Sequence, residues 1–536
     1  MLLEFIGADH EVTGSCHYLS VNGKNILVDY GMEQGRKTYE NADLPVLPGE
    51  IDYILLTHAH IDHSGLLPLA YKKGFRGQIF ATEATAKLCN IMLRDSAHIQ
   101  TFEAEWRNRK ARRNSNIEDF VPLYTMEDAD GAIRLLHPVK YKEMIHIADG
   151  IDVRFTDVGH LLGSAAIEVF LTEDGESRKI VFSGDVGNID QPIIKDPEAV
   201  DGADYVLIES TYGDRLHSED KPDYVKELSE ILSYTFERGG NVVIPSFAVG
   251  RTQELLYFIR EIKERGLVHG YEDFPVYVDS PLAVDATSIF GKSSIDCYDD
   301  EAKELLRKGV NPLSFPNLNL SITPDDSKEI NFDDEPKVII SASGMCDAGR
   351  IRHHLKHNLW RRESTVLFVG YQSVGTLGRA LVEGAKTVKL FGEEISVNAN
   401  IEILTGMSGH ADRNGLINWV KNSFDPESTK KIFVVHGDDM VTEKFADLLK
   451  QDLKFDAYAP FSGTKYDLIK DEFVEETKGV AVKKTFDKGR ISSVFQRLLA
   501  AGERLLSVIR KYEHGANKDL GKFADQINAL SDKWDR

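Results

Sequence analysis

Leu55-Leu56-Thr57-His58-Ala59-His60-Ile61-Asp62-His63-Ser64-Gly65 is the stretch on which the fold turns. The apolar run 51–57 has the length of a buried strand, and it breaks off into three histidines and one aspartate within six positions. A helix is expected over 66–73, with Asp62 near its N-terminus, where negative charge is favoured. Neutral imidazole nitrogen and carboxylate oxygen are the donors that Zn2+ prefers in hydrolytic sites. A lone histidine would read as an ordinary core or surface residue. The H-x-H-x-D-H spacing reads as a metal site, because a turn at a strand end can aim His58 and His60 at one ion while Asp62 and His63 reach a neighbouring one.

Two metals need more donors than this run holds, and later strand ends offer them. His160 follows the candidate strand 151–157, Asp185 follows 180–183, and His436 ends 432–435. Glycines nearby permit close backbone approach. None of the three would count alone; their recurrence at one topological position makes them candidate ligands. Further strands are expected at 25–29, 78–81, 166–171, 205–209, 241–245, 275–279, 337–341, 365–370 and 400–405. Helical patterns such as 224–238, 252–265 and 350–359 lie between them, and this alternation argues for an α/β fold in layers.

The chain has 536 residues, too many for one ordinary core, so two or three domains are expected. Hydrophobic residues at 42% and charged residues at 28% exclude a mainly disordered chain. No apolar run approaches the roughly 20 residues of a membrane span. The start has neither the basic n-region nor the long h-region of a signal peptide, so a cytoplasmic location with no membrane partner is expected. Cys16, Cys89, Cys297 and Cys346 are widely spaced with no CxxC pair, which fits a reducing compartment and excludes a zinc knuckle. The net charge of −22 argues against indiscriminate coating of nucleic acid but leaves room for a local basic groove. Beyond about residue 470, Ile491, Val494, Phe495, Leu498, Leu505, Val508, Ile509 and Tyr512 recur near a 3.6-residue period, and 523–534 forms a second amphipathic stretch. This reads as a helical pair packed on the body or used for self-association, as in a homodimer. A module for RNA or a partner is the alternative.

Taken together, the HxHxDH run, Asp29 in Val28-Asp29-Tyr30-Gly31, His160 and Asp185 resemble the four motifs of the metallo-β-lactamase fold. Glu209 in Glu209-Ser210-Thr211-Tyr212-Gly213-Asp214-Arg215 resembles motif A of the β-CASP nucleases. His410 in Ser408-Gly409-His410-Ala411-Asp412 resembles motif B, and His436 motif C. The resemblance covers about residues 1–465. It is nearest the branch that holds the pre-mRNA 3′-end endonuclease with its archaeal and bacterial relatives, and ribonuclease J is a more distant cousin.

The resemblance implies a four-layer αββα metallo-β-lactamase scaffold with an inserted α/β β-CASP domain and a C-terminal helical extension. The corresponding segments are 1–209 and 381–465 for the scaffold, 210–380 for the insert and 466–536 for the extension. It further implies two Zn2+ per chain, with His58, His60 and His160 on one, Asp62, His63 and His436 on the other, and Asp185 bridging. Asp29 would orient a ligand histidine or the bridging water; otherwise it is a strand-end turn residue. The catalytic set would be Asp62, Asp185, Glu209 and His410. Two zinc ions roughly 3.5–4 Å apart can acidify a shared water and clamp a phosphoryl oxygen. The hydroxide would attack phosphorus in line, with His410 protonating the leaving 3′-oxygen and Glu209 holding its imidazole. The implied activity is a zinc-dependent ribonuclease, endonucleolytic or 5′–3′ exonucleolytic, leaving 5′-phosphate and 3′-hydroxyl ends. A histidine at motif C resembles the RNA-directed members, whereas the DNA-repair members carry an aliphatic residue there. Asp438 departs from the Glu more often found after the His-Gly pair.

Single-stranded RNA is the expected partner. Ser341, Ser343 and Gly344 fall at a strand-to-helix turn, where backbone N–H groups and small hydroxyls suit a phosphate; an ordinary helix cap is the plainer reading. From Arg350 through Arg352 and Lys356 to Arg361 and Arg362 there is no acid, a local excess that reads as a phosphate-tracking wall or as a solvated helix face. Arg379 looks like family sequence lining the groove. A second basic patch, Arg107, Arg109, Lys110, Arg112 and Arg113, reads better as solvated surface. No base-reading module is visible, so weak sequence specificity is expected. The competing readings are a hydrolase of small esters, lactones or thioesters on the same HxHxDH core, and a non-catalytic scaffold in an RNA-processing complex.

Overall fold

Two β-sheets face each other with apolar side chains between them, and helices cover both outer faces. The computed structural model describes residues 1–35, 37–113, 120–217, 222–482, 493–512 and 517–534. Ile491 and the side chains of Lys110, Arg112, Arg113 and Val494 lie outside what is described. The first sheet has eight strands in the order Glu472–Glu475, Lys465–Asp467, Leu2–Gly7, Cys16–Val21, Lys24–Val28, Tyr53–Leu55, Gln78–Thr82, Leu136–Val139. The second has seven, in the order Ala457–Tyr458, Lys431–Val435, Tyr205–Glu209, Glu176–Phe182, Ala165–Glu173, Ile151–Asp157, Ile145–Ala148.

Leu3, Phe5, Val28, Phe155, Ile167 and Phe433 fill the space between the sheets. Helices Arg413–Ser423 and Asp439–Gln451 cover the outer face of the second sheet, where Leu416, Val420, Phe445 and Leu449 meet Val206, Ile208 and Val434. Helices Glu83–Arg113 and Met126–Ile133 cover the first, with Leu88, Leu93 and Ala129 in one core with Ile54 and Ile79. A strand between a facing sheet and a helix layer has no wet face. Tyr205–Glu209 is accordingly buried at every position, which is why it reads as an unbroken apolar run rather than an alternating one.

The direction of the strands sets the site. Glu176–Phe182, Tyr205–Glu209 and Lys431–Val435 are parallel neighbours, with Glu209 paired to Val435. Ile151–Asp157 and Glu176–Phe182 both pair antiparallel to Ala165–Glu173, so they too run alike. The C-terminal ends of four strands therefore share one edge, and His160, Asp185, Glu209 and His436 all sit on it.

The chain leaves this scaffold after Glu209 and builds a third sheet of six parallel strands, in the order Leu318–Leu320, Val276–Val278, Val338–Ser341, Val242–Pro245, Thr365–Phe368, Asn400–Ile403. Asn400–Ile403 pairs with Thr365–Phe368 at one edge of this sheet. Lys465–Asp467 and Glu472–Glu475 extend the first sheet beside Leu2–Gly7. Helix Ser493–Lys511 rests on the scaffold through Glu503 on Lys73 (3.0 Å) and Arg510 on Glu50 (2.7 Å). Helix Asn517–Trp534 follows it, with Leu530 and Trp534 exposed. Among the described residues no helix is long and apolar enough to cross a membrane.

Candidate metal centre

His58, His60, His160 and Asp185 converge from three strand ends onto one point. His60 Nδ1 lies 3.1 Å from His58 Nε2 and 3.1 Å from His160 Nε2, and Asp185 Oδ2 lies 3.4 Å from both of those Nε2 atoms. Donors around a tetrahedral zinc, each roughly 2.0–2.1 Å from the ion, are about 3.3 Å apart along every edge. The four atoms thus have the spacing of a coordination shell. Asp62, His63 and His436 form a second group beside it. There, His63 Nε2 is 3.2 Å from His436 Nε2, and Asp62 Oδ2 is 3.8 Å from the latter. Asp185 Oδ1 reaches His63 Nε2 at 3.3 Å, so its two carboxylate oxygens face different groups. Asp185 Oδ1 is also buried with no hydrogen-bond donor, as is Nδ1 of His160. A buried carboxylate oxygen among imidazole lone pairs calls for a cation, and the donor set fits one.

Backbone geometry is adapted to this convergence. Asp29, His160 and His436 take left-handed conformations, with φ of 60°, 61° and 49°. Such residues cost roughly 1–2 kcal/mol each, which the surrounding fold must offset. Two glycines are required for space. A Cβ on Gly187 would lie 2.1 Å from the backbone nitrogen of His160, and one on Gly31 would lie 1.6 Å from the carbonyl oxygen of Asp62.

Burial holds His58 and His160 well below the ordinary imidazole range, so both stay neutral with lone pairs available for metal. For Asp185, burial acts the other way, but the imidazoles of His436, His63 and His58 outweigh it and hold the carboxyl well below its usual range. His63 is also pushed down by burial, yet the Asp185 and Asp29 carboxylates raise it well above its ordinary value. Asp29 Oδ2 lies 2.7 Å from His63 Nδ1, while its Oδ1 accepts from the Thr57 backbone N–H at 2.8 Å. Thr57 Oγ1 donates to Asp29 Oδ2 at 2.8 Å. On the other ligand, Thr211 Oγ1 lies 3.2 Å from His436 Nδ1. Nothing in a single sequence marks Thr57 or Thr211; their roles come from position alone.

Glu209 and His410 stand against this cluster. Glu209 Oε1 lies 3.3 Å from His410 Nδ1 and accepts from the Val186 backbone N–H at 2.6 Å. His410 Nδ1 is 4.0 Å from Asp185 Oδ2. Burial lowers the His410 imidazole, but the Glu209 and Asp185 carboxylates more than offset this and bring it up to about 9. The His410 loop is tied to the scaffold where Gly187 and His410 form an isolated bridge and the Asn188 N–H donates to the Gly409 carbonyl at 3.0 Å.

Residues 18–195 match the metallo-β-lactamase superfamily domain, 252–381 the Beta-Casp domain, and 394–460 the Zn-dependent metallo-hydrolase RNA specificity domain. Ribonuclease TTHA0252 of Thermus thermophilus is 36% identical over 436 residues, covering 81% of this chain and 92% of the relative. This chain belongs to the β-CASP ribonucleases of the metallo-β-lactamase fold. The RNase J-like protein of Methanocaldococcus jannaschii is 30% identical, covering 87% of this chain and 99% of the relative. Transcription termination factor FttA of Methanosarcina mazei is 31% identical, covering 85% of this chain and 69% of the relative.

In the β-CASP sheet, strand Val338–Ser341 ends at the turn that carries Ser343 and Gly344, as the sequence suggested. Ser341 Oγ is spent on the Asp279 carbonyl (2.8 Å) and Ser343 Oγ donates to the Ala348 carbonyl (3.3 Å). Several cations of the expected basic wall have carboxylate partners within the fold. Arg350 Nη1 donates to the buried Asp279 at 2.7 Å, Lys356 pairs with Glu393 at 2.8 Å, and Arg379 with Glu383 at 2.7 Å. Arg361 pairs with Glu363 at 3.1 Å. Arg352 lies over the Phe391 ring, 5.0 Å from its centroid, with Nη1 donating to the Asp347 carbonyl. Arg107 of the second patch pairs with Glu103 at 3.8 Å on helix Glu83–Arg113.

Proposed function

We propose that the chain is a zinc-dependent ribonuclease that hydrolyses phosphodiester bonds of single-stranded RNA and leaves 5′-phosphate and 3′-hydroxyl ends. The observation that carries this reading is the sharing of Asp185 between two donor groups, with the Glu209–His410 pair beside them in a β-CASP frame. His58, His60, His160 and Asp185 would hold one zinc, and Asp62, His63, His436 and Asp185 the other. Bound there, the two ions supply an acidified water and positive charge for a phosphoryl oxygen. Asp29 fixes the His63 ring through Nδ1, so that Nε2 faces the metal. Glu209 occupies Nδ1 of His410 and favours its protonated form, leaving Nε2 to give a proton to the departing 3′-oxygen. Burial of these groups between the two domains keeps bulk water from screening their charges.

The cysteines are unpaired in the described fold, which fits a cytoplasmic location. Leu498, Leu506, Leu530 and Trp534 are exposed on the two C-terminal helices, and a homodimer through these faces belongs to the same reading. Light scattering that returned a monomer mass would remove the dimer and leave the chemistry untouched.

The central test incubates the purified protein with end-labelled single-stranded RNA, a chromogenic lactam and a thioester, each with and without a chelator. Cleavage of RNA alone, lost on chelation and in the Asp185→Asn/His63→Ala variant, is the expected result. Full activity of that variant after chelation would overturn the two-metal assignment, and turnover of the lactam or thioester alone would favour a small-molecule hydrolase.

A further inference from the structure

Two exposed rings follow parallel strands of the β-CASP sheet, at the same end as the 341–345 turn. Phe247 is 50% exposed and Tyr371 62% exposed, although both belong to loops packed against buried structure. A Cβ on Gly344 would lie 3.2 Å from Phe247 Cδ2, so this ring borders the 341–345 turn. On the same turn, the buried Gln372 donates to the Gly344 carbonyl at 3.1 Å, which fixes the neighbouring Tyr371 beside it. Gly378 leaves room for that grip, since a Cβ there would meet Gln372 Oε1 at 1.8 Å. The loop carrying Phe247 also meets segments that flank His160 and His410. A Cβ on Gly250 would lie 3.3 Å from Leu161, the residue after His160, and Arg251 donates to the carbonyl of Met407, three residues before His410.

We infer that Phe247 and Tyr371 form a nucleobase-stacking subsite that holds the unpaired bases beside the scissile phosphate; this rests on the ribonuclease reading above. Stacking on aromatic faces is tolerant of base identity and needs an unpaired strand. It also gives this chain a way to grip RNA when Arg350, Lys356 and Arg379 are already paired with carboxylates. The carboxylates beside those three side chains weaken the local positive field that a phosphate would feel, whereas the two rings carry no charge for such a partner to offset. Affinity should accordingly fall when the bases are removed from the strand, even where its phosphates are kept.

The experiment uses the zinc-loaded full chain and the variants Phe247→Leu and Tyr371→Leu, which keep an apolar side chain at exposed positions. The substrates are a single-stranded oligoribonucleotide and the same strand with abasic residues flanking the cleaved bond. Binding is followed by fluorescence anisotropy in a zinc-loaded His410→Ala background, where cleavage is slow, and cleavage is followed with His410 present. Each variant should bind the normal strand about tenfold more weakly and raise KM by a similar factor, with kcat and zinc content unchanged. On the abasic strand, wild type should lose the same factor and the variants nothing further. An equal penalty on both strands, or no penalty on either, would overturn the stacking subsite. Failure of wild type to cleave any RNA would instead remove the ribonuclease reading, and the anisotropy arm would still decide whether the rings bind bases.

Discussion

His63 and His436 bring their Nε2 atoms to 3.2 Å from each other across 373 positions of chain. Asp62 Oδ2 lies 3.8 Å from His436 Nε2 and Asp185 Oδ1 lies 3.3 Å from His63 Nε2, so four atoms of the kind that bind a cation meet at one place. The pair is therefore where the proposed second metal can be tested.

Replacing His436 by Ala should lower bound zinc by about one equivalent while the His58–His60–His160 position stays filled. Metal analysis of the dialysed protein, with circular dichroism to show an intact fold, checks this. Retention of the full metal content would detach His436 from the site.

His410→Ala should slow RNA cleavage by about 10²–10⁴-fold, the range for loss of a proton donor, with zinc content unchanged. A diester whose leaving group is a nitrophenolate needs no such proton and should be affected far less. Glu209→Gln should shift the rates in the same direction. Equal losses on both substrates would mean that His410 positions rather than protonates.

Arg350→Ala should cost stability rather than RNA affinity. Asp279 is fully buried and accepts from Arg350 (2.7 Å), from Ser327 (2.6 Å) and from the His354 ring (2.6 Å). Removing the guanidinium takes a positive charge and one of three partners from a buried carboxylate, at a cost of about 2 kcal/mol. Denaturant melts should show the loss, while KM for RNA stays within about twofold. An unchanged melt with a large rise in KM would return Arg350 to the RNA surface.

The dependence of stability on pH should carry the mark of Asp157, which is 5% exposed and which burial raises to about 7. A carboxyl that holds its proton more tightly in the folded state than in the unfolded one costs stability as pH rises from about 4 to about 7. Asp157→Asn mimics the protonated form and can still accept from the Gly159 N–H, now 2.9 Å from Oδ1. At pH 8 the variant should be more stable by on the order of 4 kcal/mol, with the advantage shrinking as pH falls toward 5. Thermal midpoints at both pH values test this, and an advantage that grew on acidification would reverse the assignment.

Local patterns were legible in the sequence because their physics is local. The apolar run that becomes Tyr53–Leu55, the helical periods over Tyr224–Phe236 and Arg251–Glu264, and the three histidines and one aspartate within six positions of the HxHxDH run depend only on near neighbours. The recurrence of a polar residue after an apolar strand also singled out His160, Asp185 and His436. Asp9 and His17 carried no such signal, although both are buried in the fold.

The sequence by itself determined the element types, the layered class and the inventory of metal donors, since side-chain periodicity and donor chemistry are written residue by residue. Only the tertiary structure decided which strands are neighbours, and so that Asn400–Ile403 belongs beside Thr365–Phe368 and Lys465–Asp467 beside Leu2–Gly7. It also decided what each charge is worth. A run of basic residues without a nearby acid in sequence reads as a free positive surface, yet Asp279 and Glu393 approach it in space. Coulomb energy follows distance through the fold rather than distance along the chain, and that distance is fixed only when strands pair and helices pack.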